Sequence, residues 1–219
     1  FVDKSRQVFP RTPWGSMGIQ VFDFDNDGRQ DIYITDMHSD MSEDIGPAKE
    51  KLKSRMQHVE EFLQSGGGSI FGNAFFRGEG GGRFVEVSQR IGAENYWPWG
   101  LSSGDFNADG YEDVFITASM NYPYRYGVNS LLLNNRGRKF LDSEFILGVE
   151  PRRGGETAMP WFTLDCAGAD LRHPHCASQG SELRPGKRLR RVEVWGALGS
   201  RSAAVLDLDR DGDLDIVTN

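Results

Sequence analysis

Cysteine and histidine are scarce in this sequence, and no long apolar run is present. The 219 residues include 2 cysteines and 4 histidines. No stretch approaches the roughly 18 apolar residues of a membrane-spanning helix, and the first residues lack the basic and apolar regions of a signal peptide. The chain also lacks an initial Met. We therefore expect no membrane span in this chain, and we expect it to be a fragment or a processed form of a longer protein.

The sequence motifs of several common enzyme classes are also missing. There is no G-x-S-x-G nucleophile elbow, no H-E-x-x-H zinc motif and no phosphate-binding P-loop. A carboxylate that coordinates a metal is ionised and occupied, so clustered aspartates would be poor proton donors. The sequence offers no candidate catalytic residue, and we expect a non-catalytic protein.

Basic residues are outnumbered by acidic ones. Lys and Arg total 25 against 32 Asp and Glu, which gives a net charge of -7 and a pI of about 5.2. Proteins that bind nucleic acid normally present a basic face, so cations are the more plausible partners. The composition, 38% hydrophobic and 26% charged, is that of a globular chain long enough to bury a core.

Much of the acidic character lies in three copies of one motif, D-x-[DN]-x-D-G-x-x-D. Side chains at positions 1, 3 and 5 of such a loop, the backbone carbonyl of position 7 and a turn-permitting glycine at position 6 build an oxygen cage for Ca²⁺. The motif therefore predicts about three Ca²⁺ sites. The predicted metal-binding residues, with the acid at position 9, are Asp23, Asp25, Asp27, Arg29 and Asp31; Asp105, Asn107, Asp109, Tyr111 and Asp113; and Asp207, Asp209, Asp211, Asp213 and Asp215.

Two other interpretations of the motif are possible. Asp and Gly are favoured turn residues, so a single copy would be compatible with a polar turn that holds no metal. Three copies with the same spacing argue against a polar turn that holds no metal. An EF-hand would need a bidentate Glu at position 12, where this chain has Ile34, Ile116 and Thr218. The short β-branched segments after each motif are typical of strands rather than helices.

The motif belongs to a larger repeat. Residues 72–88, GNAFFRGEGGGRFVEVS, resemble residues 128–144, VNSLLLNNRGRKFLDSE, and both read as strand, turn and strand. With the two strands around each acidic loop, one repeat has four antiparallel strands, which is a β-propeller blade. The predicted fold is all-β, a partial β-propeller of about three to four blades, with one inserted amphipathic helix.

The spacing of the motifs requires insertions, because Asp23, Asp105 and Asp207 lie further apart than the roughly 40–50 residues of a blade. We predict one propeller domain over residues 1–219. Within it lie a first repeat at about 14–88, a helical insertion at about 47–64, a second repeat at about 97–144, a degenerate cysteine-containing segment at about 145–200 and a truncated third repeat at 201–219.

These motifs resemble the FG-GAP/VCBS repeats. The resemblance is carried by DFDNDGRQDIYIT, DFNADGYEDVFIT, DLDRDGDLDIVT and NAFFRGEGGGRFVEVS. The repeats are similar to those in the propellers of integrin alpha subunits. They are more closely similar to those of cartilage-acidic-protein-like bacterial proteins associated with ASPIC/UnbV. The resemblance implies part of a ring of about seven blades that binds calcium and serves as an extracellular binding or adhesion module. The alternative is part of a calcium-dependent polysaccharide-active enzyme.

Both cysteines, Cys166 and Cys176, lie in the segment that has lost the calcium pattern. A short C-x9-C loop in an otherwise cysteine-free chain favours a disulfide and an oxidising compartment, outside the cell, in the periplasm or at the cell surface. Free thiols remain an alternative. So does a Cys/His metal site with His173 and His175, although the spacing matches no standard zinc pattern.

Two aromatic-rich segments are the candidate recognition loops. They are ENYWPWG, residues 94–100, and MNYPYRYG, residues 120–127. Tyr and Trp in loops contact glycans or proteins, but they also pack against their own fold. Protein or glycan ligands on these loops are the predicted partners besides calcium.

Overall fold

The computed structural model describes residues 1–9, 11–37, 69–70, 72–95, 97–119, 128–150, 158–178, 190–197 and 199–219. The strands, in chain order, are β1 (Thr12–Pro13), β2 (Ser16–Phe22), β3 (Asp31–Asp36), β4 (Ser69–Ile70), β5 (Ala74–Gly80), β6 (Arg83–Glu86), β7 (Pro98–Gly104), β8 (Asp113–Ala118), β9 (Ser130–Asn134), β10 (Phe140–Asp142), β11 (Ala158–Asp165), β12 (Arg191–Ala197), β13 (Ala203–Leu206) and β14 (Asp215–Thr218). The helices are α1 (Ser5–Val8), α2 (Ser88–Ile91) and α3 (Pro174–Ser178).

The predicted all-β fold is confirmed. Two four-stranded antiparallel sheets dominate, in the orders β2-β3-β5-β6 and β7-β8-β9-β10; we name them the first and second blades. Within the described ranges, each helix has only 4 or 5 residues. The predicted amphipathic helix at 47–64 lies outside the described residues.

Successive sheets meet along their first strands. The side-chain amide of Gln20 in β2 donates a hydrogen bond to Ser103 Oγ in β7 at 3.0 Å. The hydroxyl of Ser102 in β7 in turn donates to the carbonyl oxygen of Ala203 in β13 at 2.8 Å. First strands of neighbouring sheets that lie side by side in this way are the arrangement of a partial β-propeller.

An aromatic cluster fills the space between the two blades. Phe24, which follows β2, has its ring centroid 5.2 Å from that of Phe75 in β5 and 4.9 Å from that of Phe140 in β10. All three side chains are buried, as is Tyr33. Because rings from both blades share one core, burial of apolar area stabilises the blade-to-blade contact as well as each sheet.

The same hydrogen bond closes the connection between the second and third strands of each blade. Asn73 Oδ1 accepts a hydrogen bond from the backbone N–H of Asp36 at 2.9 Å. Asn129 Oδ1 accepts one from the N–H of Ala118 at 3.0 Å. Both asparagines are buried, so each satisfies a backbone group that the sheet leaves unpaired at that edge.

The segment after the second blade forms a separate hairpin. Strands β11 and β12 pair with each other in antiparallel register, and Leu164, Val192 and Val194 bury one face together with Cys166. The sulfur atoms of Cys166 and Cys176 are bonded, with the Cα atoms 5.4 Å apart. The described part of the predicted degenerate cysteine-containing segment, 145–200, thus contains one two-stranded sheet.

Strands β13 and β14 form the last sheet of the described chain and pair in antiparallel register. Their connecting loop is the third acidic motif. Leu208 is at position 2 of this loop and is 65% exposed. Phe24, at the same position of the first acidic motif, is 2% exposed. The difference follows from the neighbours, since Phe24 contacts the aromatic ring of Phe140 in the adjacent blade.

Candidate functional site: three acidic loops

Each acidic motif joins the first two strands of a sheet. We name residues 23–31, 105–113 and 207–215 the first, second and third acidic loops. The sheet register pairs the residue before each loop with the last aspartate, so that Phe22 faces Asp31, Gly104 faces Asp113 and Leu206 faces Asp215. The three loops therefore start and end at equivalent places.

The aspartate at position 1 organises the turn. In the first loop, Asp23 Oδ1 accepts a hydrogen bond from the N–H of Asp27 at 3.1 Å, and Oδ2 accepts one from the N–H of Gly28 at 2.8 Å. Asp105 accepts the equivalent bonds at 3.0 and 2.8 Å, and Asp207 accepts them at 3.1 and 3.2 Å. Position 1 thus fixes the backbone at positions 5 and 6 in all three loops.

Positions 4 and 6 both have left-handed backbones. The glycines at position 6 have φ values of 82°, 88° and 97°, which a residue without Cβ adopts at no steric cost. Position 4 holds Asn26, Ala108 and Arg210, with φ values of 56°, 55° and 65°. The motif pattern indicated the glycine but gave no sign of the second left-handed residue.

The aspartate at position 9 connects its loop to the third strand of the blade. Asp31 accepts hydrogen bonds from the N–H of Phe24 at 2.9 Å and of Gly78 at 2.7 Å. Asp113 is buried and accepts the equivalent bonds, from the N–H of Phe106 at 2.9 Å and of Asn134 at 2.7 Å. Both oxygens of each carboxylate are engaged with the backbone, which is a structural role in addition to the predicted metal-binding one.

Burial perturbs these position-9 carboxyl groups. Desolvation raises the pKa of Asp31, and it raises the pKa of Asp113 from 3.8 to about 6, against the opposing effect of the backbone N–H donors. The charges of Asp109 and Asp105 raise the pKa of Asp113 further. A positive charge in the loop would favour the ionised form again.

The first loop brings three carboxylates together. One oxygen from each of Asp23, Asp25 and Asp27 lies within 4.8 Å of the others. Asp25 Oδ1 is buried and has no hydrogen-bond partner. Burial, followed by the charges of Asp27 and Asp23, raises the pKa of Asp25. An unpaired buried carboxylate oxygen beside two like charges fits a bound divalent cation, which would compensate both the lost hydration and the repulsion.

The other two loops differ in their donors. In the third loop, oxygens of Asp209, Asp207 and Asp215 lie within 4.8 Å of one another. In the second loop, position 3 is Asn107, whose Oδ1 accepts from the N–H of Asp109 at 3.1 Å while its amide lies 3.3 Å from Asp109 Oδ2. Among the described residues, no further group of three acidic, histidine or cysteine side chains is this close.

Position 7 contributes its backbone N–H to the loop. Arg29, Tyr111 and Asp213 donate to the position-5 carboxylate of their own loop at 2.9, 3.0 and 2.9 Å. Arg29 also reaches out with its side chain, which donates to the carbonyl oxygen of Gly78 at 2.9 Å and pairs with Asp27. Metal coordination by the position-7 carbonyl oxygens stays a prediction.

The aromatic segments are only partly described. Asn95 is buried and accepts a hydrogen bond from the amide of Asn73 at 2.7 Å. The guanidinium of Arg201 stacks over Trp99 at 4.2 Å from the ring centroid. Trp99 therefore belongs to a contact between successive sheets. The second aromatic segment, 120–127, lies outside the described residues.

Sequence reasoning did not identify Asn134 and Asn26. The amide of Asn134 donates to the carbonyl oxygen of Phe24, and the amide of Asn26 donates to that of Gly110. Each joins the first loop to the second blade. The only signal in the sequence was the Asn-Asn-Arg-Gly run at 134–137, which is compatible with an ordinary hairpin turn.

Fold and site together define a repeat protein of the β-propeller class with an acidic loop at one end of each sheet. A family model described as FG-GAP-like repeat matches residues 62–116, a range that contains β4 to β7, the second acidic loop and the start of β8. This part of the chain is therefore similar to an FG-GAP-like repeat, in agreement with the resemblance of the acidic motifs. No curated protein matches the chain. Within the described ranges, no helix is long and apolar enough to cross a membrane.

Proposed function

We propose that this chain is a non-catalytic binding module that takes up one Ca²⁺ in each acidic loop and acts outside the cell. The FG-GAP-like repeat supports a propeller-type binding module. The observation that carries the metal assignment is Asp25 Oδ1, a buried carboxylate oxygen without a hydrogen-bond partner in a cluster with Asp23 and Asp27.

The choice of cation follows from the donors. The loops offer carboxylate, amide and backbone carbonyl oxygens, which are the ligands of hard cations such as Ca²⁺. No cysteine and no histidine lies in any acidic loop. Ca²⁺ is preferred over Mg²⁺ because an irregular loop with a variable third position suits a flexible coordination shell better than a strict octahedron.

The proposed role as a binding module rests on what the carboxylates do. The acids at positions 1, 5 and 9 accept backbone hydrogen bonds in all three loops. Groups held in this way stabilise a loop and a cation rather than exchange protons with a substrate. The bonded pair Cys166 and Cys176 supports an oxidising compartment. Protein or glycan ligands on the loop surface are the proposed partners.

Calorimetric titration of chelator-treated protein with Ca²⁺ tests the proposal. We expect about three sites with dissociation constants on the order of 10⁻⁴ to 10⁻³ M, as in other extracellular modules. Asp25→Asn should weaken the first-loop site at least about fivefold, because it removes one negative charge beside the ion. Glu79→Gln is the matched control, because Glu79 is an acid of the same blade that pairs with Arg77 outside the loop. Folded protein that binds no Ca²⁺ would refute the assignment.

A further inference from the structure

Asn134 lies at the end of β9 and touches both of the first two acidic loops. Its side-chain amide donates to the carbonyl oxygen of Phe24 in the first loop at 2.8 Å and to that of Glu112 in the second loop at 3.1 Å. Its backbone N–H donates to Asp113 Oδ1 at 2.7 Å. The residue is 2% exposed. One buried side chain thus bonds to the backbone of two loops that lie in different blades.

The turn that follows Asn134 packs against the candidate cation site. The N–H of Gly137 donates to Asn134 Oδ1 at 2.8 Å. A Cβ atom on Gly137 would lie 2.5 Å from Asp25 Cβ and 2.6 Å from Asp25 Cα. The turn therefore sets the position of the Asp25 backbone from the side of the second blade.

A second contact joins the same two loops directly. The amide of Asn26, at position 4 of the first loop, donates to the carbonyl oxygen of Gly110, at position 6 of the second loop, at 2.8 Å. The residue at position 4 of the second loop is Ala108, which has no side-chain donor. The second loop therefore cannot make the same bond to the third loop.

We propose that Asn134, together with Asn26, couples the first two acidic loops, so that a cation in either loop tightens binding in the other by about fivefold or more, while the third loop binds independently. This inference rests on the proposed function. Asn134 acts as a positioning residue, because it contacts the loop backbones and not the ion.

The sign of the coupling follows from the cost of ordering. Ca²⁺ in the second loop would restrain Glu112 and Asp113, which hold Asn134, and Asn134 would then already hold the carbonyl group next to Asp25. A first loop that is ordered in advance loses less conformational entropy when its own ion binds. Repulsion between the two ions opposes this effect, and salt weakens that repulsion.

The test follows the amide resonances of Gly28, Gly110 and Gly212, one in each loop, while the full chain is titrated with Ca²⁺. Asp109→Asn weakens Ca²⁺ binding in the second loop because the loop loses one negative charge. The remaining side-chain oxygen still accepts the Tyr111 N–H, so the loop keeps its turn. We expect the Gly28 midpoint to rise, by less than the full coupling factor because the second loop is the weaker site, and the Gly212 midpoint to stay constant. Asp211→Asn, the same change in the third loop, is the matched control and should leave Gly28 unaffected.

Three substitutions remove the coupling itself. Asn134→Ala deletes the buried amide, Asn26→Gly deletes the exposed one, and Gly137→Ala pushes on Asp25. In each background, Asp109→Asn should shift the Gly28 midpoint less than it does in the native chain. Asn26→Gly keeps the test available if Asn134→Ala fails to fold, because Asn26 is exposed and glycine tolerates its left-handed backbone.

Each coupling variant has a control with the same backbone change. Ala108→Gly places glycine at position 4 of the second loop, where no bond to the third loop is lost. Gly81→Ala places a side chain at the equivalent position of the first blade. Gly81 has a φ of 62° and Gly137 one of 68°, but a Cβ atom on Gly81 would have no other atom within 4 Å. Both controls should leave the coupling intact.

The outcomes separate the two proposals. If none of the three glycines responds to Ca²⁺ in folded protein, the proposed function fails and the coupling fails with it. If all three respond and Asp109→Asn leaves the Gly28 midpoint unchanged or lowers it, only the coupling is refuted. A coupling that survives Asn134→Ala, Asn26→Gly and Gly137→Ala alike would refute the role assigned to these contacts.

Discussion

The hydroxyl of Thr35 in the first blade donates a hydrogen bond to the carbonyl oxygen of Trp99 in the second blade, at 2.5 Å. The same oxygen atom of Thr35 accepts a bond from the N–H of Gly18 at 3.0 Å. Thr117 donates to the carbonyl oxygen of Gly100 at 3.0 Å, and the N–H of Gly100 donates to the carbonyl oxygen of Arg201. Neighbouring sheets thus approach each other closely at a glycine.

This close approach predicts that Gly18→Ala destabilises the protein. The new Cβ atom would lie 2.7 Å from Leu101 Cδ2 and 2.9 Å from the Trp99 carbonyl oxygen. We expect a loss of about 1–3 kcal/mol in the free energy of unfolding, measured by urea denaturation. Gly196→Ala is the control, because its nearest atoms are 3.6 Å away, and it should change stability by less than about 0.5 kcal/mol. Equal effects of the two substitutions would contradict the contact.

The disulfide predicts a local effect in the hairpin. Replacing both Cys166 and Cys176 with Ser should lower the stability of the β11 and β12 pairing by about 2–3 kcal/mol, because the unfolded segment without the disulfide regains conformational freedom. Amide hydrogen exchange measures this loss of stability. We expect faster exchange in β11 and β12, while the protection of β2 and β3 stays unchanged. Unchanged protection of β11 and β12, or an equal loss of protection in both blades, would contradict a local stabilising effect of the disulfide.

Asp113 predicts a pH dependence in chelator-treated protein. Burial raises its pKa from 3.8 to about 6, so between these two values the folded state binds more protons than the unfolded state. The stability that this carboxyl contributes is therefore present below about pH 4 and is lost as the pH rises through about 6. Carboxyl ¹³C NMR measures the pKa directly. We expect added Ca²⁺ to lower it, and a pKa near 3.8 without Ca²⁺ would contradict the prediction.

The second loop should bind Ca²⁺ most weakly, because Asn107 gives it one carboxylate fewer. Asn107→Asp should lower the dissociation constant of this site at least about fivefold, because one added negative charge near the ion contributes about 1 kcal/mol to the binding free energy. Asp209→Asn makes the reverse change in the third loop and should weaken that site similarly. The amide resonances of Gly110 and Gly212 report the two sites. A native chain in which Gly110 saturates first would show that charge does not set the order.

The sequence predicted what lies close together along the chain. The acidic motif and the short β-branched segments around it lie within a few residues of one another, so β2, β3, β7 and β8 could be predicted from the pattern. The contacts of Asn134 did not, because Phe24 lies 110 residues away and only the packing of two blades brings them together. The pairing of Leu164 with Val192 was missed as well, because no motif in the sequence marks the two strands as partners.

The buried asparagines Asn73 and Asn129 have a consequence for engineering. The same hydrogen bond bridges residues 37–72 in one blade and residues 119–128 in the other, so the length of the bridged stretch does not decide whether the blade closes. The entropy cost of a longer stretch grows only slowly, and the acidic loops lie at the opposite end of the strands. Foreign peptides grafted between Ala118 and Asn129 should therefore leave the cation loops intact, which makes this stretch of sequence a suitable attachment point for a reporter.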